Sequence, residues 1–260
     1  MGQSDRVTID QPARRSVLRN EILLVLGLSV GTSAVYAVVS LIAKLTAEKP
    51  LAQQTALLNE SQAPNRPWLD LTLQLLGIAF ALVPVLLAVH LLNRDPGDAL
   101  ANLGLDQRRP LADLAAGGAL AALIGIPGLG LYYLARALEL NANVIPASLP
   151  NAWWAIPVLV LSAMQNAVLE EIVVVGYLLT RLRQLGWTVG AAVAASAVLR
   201  GSYHFYQGFG AFVGNAIMGV IFSFYFVRTG RVLPLIVAHT LLDVVAFVGY
   251  ALLRDHVGWL

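Results

Sequence analysis

Seven long stretches of this chain run between charged residues with almost nothing but apolar side chains, and that pattern constrains the fold more than any motif does. Ile22 to Ala43, Leu71 to Leu92, Leu114 to Ala135 and Phe209 to Val227 hold no Asp, Glu, Lys or Arg. Ala152 to Thr180 is broken only by Glu170 and Glu171, Thr188 to Tyr206 by Arg200, and Val232 to Leu253 by Asp243. A bilayer core takes about 20 residues of helix, so each stretch reads as a span. Of the 260 residues, 58% are hydrophobic and 12% charged, whereas soluble domains carry roughly 25% charged residues. The expectation is an all-α, polytopic transmembrane helix bundle of about seven spans. The same composition excludes a soluble enzyme and a disordered chain. With a net charge of +2 and no basic run longer than Arg14-Arg15 or Arg108-Arg109, nucleic acid is excluded as a partner. The chain has no cysteine, which removes disulfides, thiol catalysis and thiolate ligation.

Counting Lys and Arg sets the orientation. With the N-terminus cytoplasmic, eleven of these residues fall inside and five outside, Arg200 lying within a span. The positive-inside rule therefore favours a cytoplasmic N-terminus and a multi-pass protein of the cell (inner) membrane. The first stretch is too long for a signal-peptide core and no cleavage site follows it, so it is expected to stay. Trp68, Trp153, Trp154, Trp187 and Trp259 lie at span ends, where an aromatic belt is expected. Residues 1–20 read as a polar cytoplasmic tail, 21–150 as a three-span region with loops, and 151–260 as a four-span catalytic core. Within the first region, 46–67 reads as an extracytoplasmic loop and 98–105 as an interfacial helix. Gly117, Ala121 and Gly125, like Gly210 and Gly214, make small-residue rows suited to close helix packing in lipid.

The first three spans carry no acidic or basic residue, while the last four hold Glu170, Glu171, Arg200, His204, His239 and Asp243. An ionised group at a span centre costs about 2.5–3.5 kcal/mol on insertion scales, so these groups must face one another or water. At 1.5 Å per residue, they fall near the same mid-membrane depth, as does Asn215. His239 and Asp243, four apart, share a helix face, and so do Arg200 and His204. Glu170 and Glu171 point about 100° apart and therefore take different roles. Two imidazoles and two carboxylates can polarise a water or hold a divalent metal. No His-Glu-x-x-His helix is present, and Ser196 and Ser202 have no acid–base partner at a recognisable spacing. Without the chemistry of a known family, three readings stand: a peptide hydrolase, a proton-linked transporter using the groups as a relay, and a catalytically silent scaffold or immunity-type protein.

Taken in order, these residues resemble the CPBP family of intramembrane endopeptidases, which includes the type II CAAX prenyl proteases. That family carries a Glu-Glu pair followed by Arg, then Phe-x-x-x-His, then His-x-x-x-Asn/Asp. Glu170-Glu171, Tyr203-His204 and His239-Thr-Leu-Leu-Asp243 match these, with Asn215 at a further family position. The resemblance covers roughly Asn151 to Gly249 and implies an intramembrane glutamic or metallo-endopeptidase. Glu170 would be the base that activates water. His204, His239 and Asp243 would position the water and stabilise the oxyanion, and Glu171 would be secondary. The cofactor stays open: a divalent metal such as zinc, held by Glu170, His204, His239 and Asp243, or none. The partners implied are membrane lipid and a peptide or protein substrate, which enters from the cytoplasmic side or laterally.

Two positions depart from the family pattern. The Arg expected four residues after Glu171 is Val175, and the Phe expected four before His204 is Arg200. The two positions lie at similar depth on antiparallel helices. The expectation is therefore one exchange: the guanidinium has moved from the fourth span to the fifth, where it still meets Glu171.

Overall fold

The computed structural model describes residues 11–254 and His256. All seven apolar stretches are helical. Among the described residues, five helices are long and apolar enough to cross a membrane, and a bent pair meets the same test when taken together. That pair is α1 (Gln11–Gly27) and α2 (Val30–Leu45), which meet at 55°. At the break, the Ser29 hydroxyl donates to the Val25 carbonyl at 2.6 Å and the Thr32 hydroxyl to the Gly27 carbonyl. These bonds answer carbonyls that lipid could not. Because α1 starts at Gln11, the second half of the expected tail is helix; residues 1–10 lie outside the described residues. On α1, Leu18, Ile22 and Val25 are buried at helical spacing while Leu23, Leu24 and Leu28 stay exposed.

The long helices follow: α3 (Pro67–Leu92), α5 (Pro110–Ala137), α6 (Ala155–Gln184), α8 (Phe209–Thr229) and α9 (Leu233–Leu253). Proline in the first turn starts α3, α5 and α9, where its missing N–H is no loss. A short α4 (Ala99–Asn102) is capped by Asp98, which accepts from the Ala101 N–H at 2.7 Å. This is the expected interfacial helix. The fifth stretch is shorter than expected. Helix α7 (Val189–Ser202) has 14 residues and closes at Tyr203, so His204 lies past its end rather than on it.

Small residues bring α5, α8 and α9 together as their spacing suggested. A Cβ added at Gly117 would lie 2.5 Å from Val237, and one at Gly125 would lie 2.8 Å from Leu242. Gly210 lies similarly close to Ala135. Helix α6 is the innermost element, and its middle departs from α geometry. Glu171–Tyr177 forms a π-helix of 7 residues, all buried. The run Ile172-Val173-Val174-Val175 crowds an α-helix at its β-branched carbons, and the wider turn relieves that crowding. The Ser196 hydroxyl of α7 donates to the Val174 carbonyl at 2.8 Å and accepts from the Ser223 hydroxyl of α8 at 3.3 Å. Ser196 is thus a structural serine.

The two bundle ends are built differently. At one end the expected loops pair as a parallel two-stranded sheet, β1 (Thr55–Glu60) with β2 (Asn143–Ser148), registered from Thr55 on Asn143 to Glu60 on Ser148. Asn141 bridges to Gly208, whose φ of +124° and contact with the Leu140 carbonyl admit no side chain. Lys44 donates to the carbonyls of Thr55 and Tyr206 at 3.0 and 2.7 Å. The regions 21–150 and 151–260 are therefore joined rather than separate. At the other end, the Arg181 Nη1 donates to Asp95 at 2.5 Å and its Nη2 to the Leu91 carbonyl at 2.6 Å. Arg231 sits between α8 and α9. Its Nε and Nη2 donate to both carboxylate oxygens of Asp113, at 2.8 and 2.6 Å, and its Nη1 donates to Asp106 at 2.9 Å. This pairing holds Asp106 below the usual carboxylate range, chiefly through the Arg231 hydrogen bond.

Trp68, Trp153 and Trp187 are exposed at helix ends as an interfacial belt requires, but Trp154 is buried beside Val158, Leu159 and Phe247. It is a core residue, and the belt reading fails for it. Trp259 lies outside the described residues.

Candidate active site

Four elements converge on the buried charges: the α6 π segment, the last turn of α7, the turn after it, and α9. Glu171 is fully buried. Its Oε1 accepts from Arg200 Nη2 and from His239 Nδ1, both at 2.7 Å. Glu171 thus joins Arg200 and His239 through one oxygen. His239 turns Nδ1 toward Glu171, and its Nε2 lies 3.8 Å from Asp243 Oδ1. Asp243 also accepts a long bond from Asn166 at 3.4 Å.

Glu170 stands apart from its neighbour. The Tyr203 hydroxyl donates to Glu170 Oε2 at 2.6 Å, and Arg200 Nη1 lies 3.4 Å from the same oxygen. Its side chain keeps 13% of its surface exposed, against none for Glu171. One carboxylate is locked in and the other is accessible. Their separation follows from the helix, since adjacent residues cannot share a face.

Arg200 is fully buried and reaches both glutamates, with its guanidinium 5.5 Å over the Phe222 ring. It faces the site and not lipid, as the expected exchange with Val175 requires. It differs from that expectation in dividing its two amino groups between Glu171 and Glu170 rather than clasping Glu171 alone. Val175 is buried in the π segment. His204 Nδ1 donates to the Arg200 carbonyl at 2.9 Å, and its ring lies 4.8 Å from that of Tyr203. His204 follows the end of a short helix. Asn215 does not join the site: its amide donates to the Ala211 carbonyl of its own helix at 3.0 Å. His90 and His256 are exposed, as interfacial residues are.

Sequence reasoning missed Tyr203 and Asn166 as site residues. An Asn four residues before Glu170 in an apolar span was a readable signal, because one helical turn places both on one face. Tyr203 gave no such signal, since only the turn after α7 aims its hydroxyl at Glu170.

Glu170, Glu171 and His239 each offer a ligand atom, all within 4.8 Å of one another, so by distance they could surround a metal ion. Asp243 and His204, expected in such a set, are not in the group. Arg200 offsets one of the two carboxylate charges, so the remaining negative charge and the donor set of Glu170, Glu171 and His239 fit a dication, which would sit beside a buried guanidinium.

Fold and site together define a multi-pass membrane protein with a glutamate–arginine–histidine centre buried among its last four spans. Residues 152–245 match the family described as Type II CAAX prenyl endopeptidase Rce1-like, a protease family, and this supports the CPBP assignment. The match covers the four helices that carry the site and less than half of the chain. No curated protein and no solved structure matches the chain.

Proposed function

We propose that the protein is an intramembrane endopeptidase that hydrolyses a peptide bond of a membrane-associated peptide or protein, with Glu170 as the base. The observation that carries this reading is the asymmetry of the twin glutamates. Glu171 is enclosed and doubly bonded, whereas Glu170 retains access and keeps Oε1 clear of the Tyr203 and Arg200 contacts made by Oε2. In the reaction, Glu170 takes a proton from water as the water oxygen bonds to the substrate carbonyl carbon. The carbonyl π electrons move onto oxygen, which accepts from the Nε2–H of His204 or His239 in the form protonated on both ring nitrogens, since each Nδ1–H is already engaged. Collapse of that intermediate breaks the C–N bond, and the proton on Glu170 passes to the leaving amine. Arg200, through Glu171, keeps the neighbouring charges fixed throughout. The mechanism needs no metal step.

Replacing Glu170 by Gln preserves size and removes the base. General-base catalysis contributes about 10²–10⁴-fold, so turnover should fall by that factor while the protein folds normally. The measurement is mass spectrometry of membrane peptides in cells carrying the wild-type chain or Glu170→Gln. If the two peptide sets are identical, the peptidase reading gives way to the silent-scaffold one.

A further inference from the structure

A groove of about 370 Å³ lies between α2 and the turn after α7, with Tyr203 and Tyr206 on the side away from α2. Tyr203 is the link. It lines the groove and its hydroxyl donates to Glu170, so one residue touches both the groove and the base. On α2, Thr32, Ser33, Tyr36 and Ser40 line the opposite wall at the spacing of one helix face. Thr32 bonds back to Gly27, but the hydroxyls of Ser33, Tyr36 and Ser40 take no partner among the described residues.

Leu103, 2% exposed, lies against Gly176 of the π segment, and its carbonyl accepts from the Val232 N–H at 2.8 Å. Arg231 then ties that loop to Asp106 and Asp113.

We propose that this α2 groove is the substrate-binding site, that it takes an unwound, extended peptide segment drawn sideways from the bilayer, and that the segment reaches Glu170 past Tyr203. This rests on the peptidase reading and names its substrate class. The chemistry selects the occupant. A lipid chain has nothing to hydrogen-bond, and an intact helix satisfies its own backbone. An extended segment in hydrocarbon presents free N–H and C=O groups that must find partners, and three unpartnered hydroxyls along one wall supply them. Helix α2 ends beside the strands, so the groove runs from mid-membrane toward that end. In the orientation favoured by the Lys and Arg count, the substrate arrives through the extracytoplasmic half of the bilayer rather than from the cytoplasm.

The absence of cysteine allows a direct test on the full chain. In a Glu170→Gln background, Ser33→Cys creates the one thiol, and its labelling by a maleimide in detergent is timed. The probes are two synthetic apolar peptides of about 20 residues: one interrupted at its centre by Gly-Pro, the other an unbroken Leu-Ala helix. At about ten times its dissociation constant, the interrupted peptide should slow labelling about tenfold. The unbroken helix should leave labelling unchanged, and Val39→Cys, exposed elsewhere on α2, should respond to neither peptide. Equal protection by both peptides, or protection by neither, overturns the proposal. Since no bond is cut in this experiment, a failed groove and a failed base assignment are told apart.

Discussion

Two buried arginines hold this protein together in different ways. Arg231, between α8 and α9, has donors on both oxygens of Asp113 and on the side chain and carbonyl of Asp106. Arg200, in the middle of the bundle, makes one hydrogen bond to Glu171 and one looser ionic contact with Glu170. Its Nε and Nη1, with Glu171 Oε2, have no hydrogen-bond partner among the described residues. Buried polar groups in native proteins are nearly always satisfied, and clustered exceptions mark a reactive centre or stored strain. The first arginine is a clamp, complete in itself. The second belongs to a centre with hydrogen-bonding capacity left over, as hydrolysis of an incoming peptide requires.

If that contrast is right, the two arginines respond differently to removal. Arg200→Phe leaves Glu171 buried without its cation and should cost about 3–5 kcal/mol, read as a lowered unfolding temperature in detergent, and it should abolish cleavage. Adding Val175→Arg returns a guanidinium at the same depth on α6 and should restore part of both. A double variant no better than the single one would show that the two positions are not one exchange. Arg231→Met leaves buried Asp113 without its cation and should likewise cost about 3–5 kcal/mol, but leave cleavage near the wild-type rate in the folded fraction. A large loss of turnover there would erase the distinction between clamp and centre.

Acid sharpens the comparison further. Asp106 has its native carboxyl pKa depressed by Arg231, so its stabilisation is present above the ordinary carboxylate range and fades as pH falls through the native value. Wild-type protein should lose more unfolding temperature on acidification than Asp106→Asn. Identical acid slopes would mean the clamp does not depend on that charge. The smallest expected effect is none: a strong chelator should leave peptide release unchanged, because the proposed steps run through Glu170 and the two histidines alone. Activity lost on chelation and recovered with zinc would mean that a metal sits beside Arg200 in the working site.

Much of this was legible in the sequence. Apolar stretches mark the long helices, because a bilayer rejects unpaired charge, and the charged residues left inside them gather at the site. Arg200 could be placed opposite Glu171 by counting turns on antiparallel helices. The β1–β2 pairing could not be read, since neither strand alternates strongly and the partners lie on either side of two spans. The π segment also escaped. Four β-branched residues after Glu171 signalled discomfort in an α-helix but not how it would be relieved. The meeting of Arg200 and His239 on Glu171, and the departure of Asn215 from the site, depend on side-chain direction, which spacing alone does not give.

The shortness of α7 reaches beyond the protein itself. Its 14 residues span about 21 Å, whereas an average hydrocarbon core is about 30 Å thick. Lipid beside Val198, which faces outward, must compress or tilt to meet that edge, an expense of fractions of a kcal/mol per ångström. The thinned annulus adjoins the turn that carries Tyr203 and His204. Water and headgroups there would stand closer to the carboxylates than in undisturbed membrane, so chain length in the surrounding phospholipids is expected to tune the proposed hydrolysis. Short-chain bilayers ease the mismatch and long-chain ones oppose it.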